Sequence, residues 1–187
     1  MPKTQHLFTM TRGLLWIAIF LALGLIAILA LGLGALVLAM MGIVNLPIPA
    51  NEIHGIPPVQ IFGIGTLALA LGMICIALVA WMFLLMARIV DTASAGDPFV
   101  TANADRLSLI GWVLVAIIAV QCVGQSTVTH LMERMAAEHH LPAGAIGSFS
   151  LDSWASPVAL LAILLIFVLA QIFRRGSEMR AELEGTV

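Results

Sequence analysis

The sequence predicts an all-α membrane protein with four transmembrane helices, and three observations carry that reading. The 187 residues are 61% hydrophobic and only 10% charged, whereas soluble domains are about one quarter charged. Four stretches, 14–41, 61–86, 107–123 and 157–173, contain no Asp, Glu, Lys, Arg or His. Seven of the eight Lys and Arg residues fall on one side of the topology that four crossings create.

Each stretch is justified by length and pattern. A helix rises about 1.5 Å per residue, so about 20 apolar residues cross the hydrocarbon core. Backbone amides and carbonyls in lipid must be satisfied within the segment, which favours helices. Barrel strands would alternate apolar and polar residues, and these stretches do not. The first has a basic start, Lys3 and Arg12, that a signal peptide would share. Its apolar run is about twice a signal core, however, and no clear polar cleavage region follows, so it reads as a retained span. At ~42 Å it outruns the core and has to tilt or emerge at the interface.

Orientation follows from the basic residues. Lys3 and Arg12 precede the first span, Arg88 and Arg106 lie between the second and third, and Arg174, Arg175 and Arg180 follow the fourth. Arg134 alone faces the other way. The rule counts Lys and Arg rather than net charge, and it places both termini in the cytosol. Six acidic residues share that side: Asp91, Asp97, Asp105, Glu178, Glu182 and Glu184.

The two outer segments predict a small cap. In 42–60, Pro47, Pro49, Pro57 and Pro58 disfavour helix, and the alternation around Leu46 and Ile48 allows a short strand. In the second segment, 127–140 fits an amphipathic helix lying on the membrane, with Val128, Leu131, Met132 and Met135 as its apolar side. Pro142, Gly144 and Gly147 then break it, and 148–151 is a second candidate extended piece. Asp97-Pro98, on the cytosolic side, and Ser156-Pro157, at the end of the second outer segment, each place an N-cap before a proline at N1. The third helix is therefore expected to start near Pro98, and the fourth to continue past Arg174 and Arg175. Arg174–Glu178 and Arg180–Glu184 have i,i+4 spacing that would support this extension.

Candidate chemistry is sparse. His130, Glu133, Glu138, His139 and His140 are metal-ligand types, but their spacing is unspecific and a solvated helix face explains them as well. Gln121 and Gln125 read as interhelical hydrogen-bonding groups before a substrate route, since ion and proton routes need intramembrane ionisable residues. Ala18/Ala22 and Ala68/Gly72 have small-xxx-small spacing, and Gly24, Gly32 and Gly34 add to the small residues of the first span. Helix packing accounts for them, and homodimerisation stays open. Cys75 and Cys122 both lie inside spans, which gives no disulfide framework. No nucleophile elbow, phosphate loop, metalloprotease pattern or CxxC occurs. The expectation is a non-enzymatic protein without metal or cofactor and without direct nucleic-acid binding.

Two compact motifs remain, both expected at the cytosolic face. One is Gly96-Asp97-Pro98-Phe99-Val100 with Asn103-Ala104-Asp105-Arg106-Leu107 and Ile110-Gly111-Trp112. The other is Ala170-Gln171-Ile172-Phe173-Arg174-Arg175-Gly176-Ser177-Glu178-Met179-Arg180. Together they resemble a bacterial membrane family of unknown function, the one numbered twenty-nine seventy-five. The resemblance implies a small four-span protein of the inner or plasma membrane with cytosolic termini. It is often encoded beside a small helix-turn-helix regulator of the Xre type. That neighbour implies a membrane partner that holds or releases the regulator, with Asp97, Pro98, Phe99, Asn103, Arg106, Arg174, Arg175 and Glu178 as the candidate docking motif.

Two readings of those residues stand side by side. In one they dock a partner. In the other they form a clasp between helices three and four at the inner leaflet, in which Arg106 pairs with Glu178 or Asp105, and the arginines meet anionic lipid headgroups. A small transporter or channel and an envelope sensor built on the outer histidines are the alternative functions.

Overall fold

A polypeptide segment in lipid has no water to bond its backbone, and all four apolar stretches meet that demand as helices. The computed structural model describes residues 2–44, 56–141 and 157–184. They form α1 (Pro2–Met40), α2 (Pro58–Ser94), α3 (Thr101–Glu138) and α4 (Pro157–Glu184), with no strand among the described residues. The helices hold 39, 37, 38 and 28 residues, or roughly 58, 56, 57 and 42 Å at 1.5 Å per residue. Each is long and apolar enough to cross a membrane, and each exceeds the ~30 Å core, so its ends project beyond it.

Burial supports the same assignment. Only 11% of the most apolar window of α1, α2 and α4 is buried within the protein, against 28% for α3. Large side chains such as Leu21, Ile28, Leu31, Leu161 and Leu165 are exposed. In water a contiguous apolar surface of this kind would drive association, whereas lipid covers it without penalty. The chain is a multi-pass membrane protein, and α3 is the helix the others cover most.

Helix ends are set by hydrogen bonding. After α1, the Gly42 amide donates to Ala39 O and the Ile43 amide to Leu38 O. After α2, the Gly96 amide donates to Ala93 O and the Asp97 amide to Thr92 O. After α3, the His140 amide donates to Ala137 O and the Leu141 amide to Ala136 O. All three are Schellman caps, which need a left-handed residue at C′. Gly42 (φ 71°) and Gly96 (φ 93°) supply it freely, and His140 supplies it at φ 53°.

The described residues fall into two compact units. The first takes residues up to Leu23, Ala77–Ile118 and from Ala155 onward. There α2 meets α3 through Thr92 and Asn103, and α3 meets α4 where Trp112 stands edge-on to Phe167 at 5.7 Å. A Cβ on Gly111 would come within 2.9 Å of the Phe167 ring, so the bare backbone there is what admits the ring. The second unit takes Gly24–Ile76 and Ala119–Trp154. Its α1 and α2 are antiparallel, since Gly32 faces Leu69 while Gly65 faces Leu36. Gly124 of α3 faces Leu71 of α2 in the same unit. Of the small residues singled out in the sequence, Gly32 has a neighbour on another helix, while Gly24, Gly34 and Gly72 face open space.

Two sequence expectations are revised. The third helix starts at Thr101, not near Pro98, and Asp97 is not its N-cap. The Asp97 amide is already committed to the cap of α2, and residues 98–100 lead into α3 as a turn, with the Asn103 amide on Val100 O at 2.8 Å. Residues 127–140 do not make a separate interfacial helix, because α3 runs unbroken to Glu138 with Val128 and Met135 buried along it. The extended pieces expected around Leu46 and Ile48 and at 148–151 lie outside the described residues.

Gly96→Ala is expected to lower stability by roughly 1–2 kcal/mol, because a Cβ is strained in the left-handed region. His140→Gly relieves the same strain and is expected to raise stability by up to about 1 kcal/mol. Equilibrium unfolding of the protein in mixed micelles measures both.

Candidate functional site

The α2–α3 connection is only six residues long, 95–100, so it holds the end of α2 and the start of α3 within side-chain reach. Asn103, in the first turn of α3, is fully buried between them. Its Nδ2 donates to Thr92 Oγ1 at 2.8 Å and to Pro98 O at 3.0 Å. Its Oδ1 accepts from Arg106 Nη1 at 2.9 Å. The Thr92 hydroxyl has one proton and lies 2.9 Å from both Ile89 O and Asn103 Oδ1. Arg106 Nη1 also lies 3.3 Å from Arg88 O. One amide therefore joins the end of α2, the turn and the start of α3, and a buried amide left unbonded would cost about 1–3 kcal/mol.

Around this centre each acidic residue of the α2–α3 hairpin takes one arginine from the first or last helix. Arg12 of α1 lies 3.3 Å from Asp91. Arg174 of α4 donates to Asp105 at 2.8 Å, and Arg180 of α4 pairs with Asp97. All six side chains are between 44% and 70% exposed, so each pair contributes ~0.2–1 kcal/mol and acts mainly on register. Apolar contact supplements the α4 pairs. The Phe99 and Phe173 rings are 5.2 Å apart, and Phe99 also lies over Gly176, where a Cβ would meet its ring at 2.9 Å. Beneath it, buried Ser177 donates to Arg174 O at 2.7 Å.

Asp97, Pro98, Phe99, Asn103, Arg106 and Arg174 are thus brought into one cluster. Arg175 and Glu178 are not: both are exposed, and neither has a polar partner among the described residues. The clasp between α3 and α4 also differs from the expected one. Arg106 pairs with neither Glu178 nor Asp105, because its guanidinium is held by Asn103 and Arg88 O. Arg174 turns away from Glu178 to Asp105. Thr92, Arg12 and Asp91 belong to the site though they lie outside both motifs, and Phe173 and Gly176 lie in the second motif without standing out as site residues, since their partners are remote in the chain or, for Thr92, across the turn.

A separate polar face lies in the second unit. Cys122, Gln125, Ser126, Thr129, His130 and Glu133, all on α3, line an open cleft of about 450 Å3. His130 Nδ1 is 3.5 Å from Glu133, and His139 Nε2 is 3.3 Å from Gln60 Oε1. Gln121 Oε1 is buried without a partner among the described residues. Among the described residues, no three His, Cys, Asp or Glu side chains converge as metal ligands.

The model of one protein family matches the chain over residues 44–187; its description is "protein of unknown function (DUF2975)". The match starts just after α1 and takes in α2, α3, α4 and hence most of the cluster around Asn103. No curated protein and no solved structure matches the chain.

Asn103→Ala is expected to cost about 2–4 kcal/mol, because Pro98 O and the Arg106 guanidinium lose a partner at a part-buried place. Asp97→Asn is expected to cost no more than about 1 kcal/mol. Gly176→Leu is expected to displace the Phe99 ring from α4 and to cost about 1–3 kcal/mol by overpacking, read as a lower unfolding midpoint in mixed micelles. The same unfolding experiment measures the first two.

Proposed function

The chain belongs to the DUF2975 family of unknown function, and from that premise we propose that it is a non-enzymatic bacterial membrane protein that holds a small cytosolic helix-turn-helix regulator. In this reading the end formed by the α2–α3 turn and the last turns of α4 faces the cytosol. The basic residues support that orientation, since Lys3, Arg12, Arg88, Arg106, Arg174, Arg175 and Arg180 all precede or follow spans at that side.

The observation that carries docking is on α4. Beyond Phe173 the helix runs on for about three turns as an Arg- and Glu-bearing segment. Met179 and Leu183 remain 61% and 71% exposed there. They are four residues apart and so share one helix face. Lipid explains exposed leucines inside a span, but it does not explain an apolar pair on a charged extension. A partner helix laid along that face would bury them, with Arg175 and Glu178 beside it as polar contacts.

A second reading is favoured by the polar face of α3 in the second unit. Gln125, Ser126, Thr129, His130 and Glu133 there suit an outer sensing surface, and sensing at one end is compatible with docking at the other.

A photoreactive residue at Met179 or Phe99 is expected to cross-link the regulator encoded by the adjacent gene in intact membranes. Met179→Asp with Leu183→Asp is expected to release that regulator to the soluble fraction while leaving this protein in the membrane. A regulator that stays soluble beside the unaltered protein would remove the proposal. His130→Ala with no change in any pH or metal response would remove the sensing reading.

A further inference from the structure

In the first unit, Ser108 of α3 and Phe167, Ala170, Gln171 and Arg174 of α4 line a cleft of about 140 Å3. The ionisable-free runs of both helices end here: Ser108 lies just inside the run that follows Arg106, and Gln171 lies just inside the run that ends before Arg174. The cleft therefore straddles the boundary between hydrocarbon and headgroups. Its membrane side is apolar, with Phe167 fixed against Gly111 and Trp112. Its other side carries a hydroxyl, an amide and a guanidinium. Among the described residues, neither Ser108 nor Gln171 has a polar partner, while Arg174 gives one nitrogen to Asp105 and retains donors.

Three donor groups around one small space call for an acceptor-rich, anionic group, and the apolar wall calls for an attached chain. The geometry points to a phospholipid-phosphate site: the phosphodiester of an anionic lipid sits between α3 and α4 on Ser108, Gln171 and Arg174. The volume takes the phosphate and glycerol region alone. The acyl chains then run along the exposed stripe of Val168 and Leu164, three and seven residues before Gln171 on α4. Arg175 is adjacent in sequence but does not line the cleft, which makes it a control for general charge attraction. The site depends on the orientation proposed above only for the leaflet it samples. In a symmetric bilayer it binds the same lipid whichever way the protein faces.

The test is native mass spectrometry of the full chain released from nanodiscs of mixed phosphatidylglycerol and phosphatidylcholine, scored by the lipid retained. The unaltered protein is expected to retain phosphatidylglycerol preferentially. Arg174→Gln is expected to weaken retention about fivefold, with a smaller loss for Gln171→Ala and none for Arg175→Gln. Asp105→Asn separates a lipid site from a structural ion pair, because it breaks the same pair yet frees Arg174, and retention is expected to rise. If Asp105→Asn and Arg174→Gln lower retention equally, Arg174 only braces α4 and the proposal fails. It also fails if Arg175→Gln matches Arg174→Gln, or if inorganic phosphate alone competes as well as the lipid does. Thermal unfolding of each variant without added lipid shows whether it is folded, and Gln171→Ala carries the test if Arg174→Gln is not.

Discussion

The fully buried amide of Asn103 is the interaction on which the arrangement around it depends. An amide can be buried only where both its hydrogens and its oxygen are bonded, and Thr92, Pro98 O and Arg106 meet that condition together. Those partners come from the end of α2, the turn and the start of α3. The side chain therefore fixes how α2 hands over to α3. It also explains why the turn keeps Pro98 out of the helix and presents Phe99 toward α4. Hydrophobic burial could not set this geometry, because lipid is as apolar as the leucines it covers and gives helices little reason to prefer one register.

The ion pairs act at the next level. Each is exposed enough to contribute little stability, yet their pattern is selective: the acids sit on the α2–α3 hairpin and the arginines on α1 and α4. A hairpin that is acidic at its turn accepts helices whose ends are basic. The glycine contacts add shape to this charge match, with Phe99 over Gly176 and Phe167 over Gly111. Stability, register and close approach are thus supplied by different residues in one place. The same end also leaves Arg175, Glu178, Met179 and Leu183 exposed, so a rigid base carries an outward face.

Much of the candidate site was legible as a set of residues and little of it as a set of bonds. The two motifs draw attention to Asp97, Phe99, Asn103, Arg106 and Arg174, and all five meet. Sequence spacing correctly puts Asn103 and Arg106 on one helix face, since i,i+3 neighbours touch. It cannot reveal that Arg180 reaches Asp97 or that Arg12 reaches Asp91, because those residues are separated by whole spans. Local rules misplace the start of α3 for the same reason. Asp97-Pro98 satisfies every local criterion for an N-cap, but a cap of the preceding helix and a buried side-chain amide both claim that stretch first.

By itself the sequence determined that this is a four-span helical membrane protein. That outcome depends on the length of apolar runs and on backbone hydrogen bonding, both of which are local. The distribution of arginine and lysine likewise carries the orientation argument without any contact. The tertiary structure decided which carboxylate each arginine takes, where the turn ends and α3 begins, and which glycines face a neighbouring ring. Those outcomes depend on antiparallel helices meeting at one register among several that an apolar surface would allow. Only a bonded, buried polar group such as Asn103 separates that register from its neighbours.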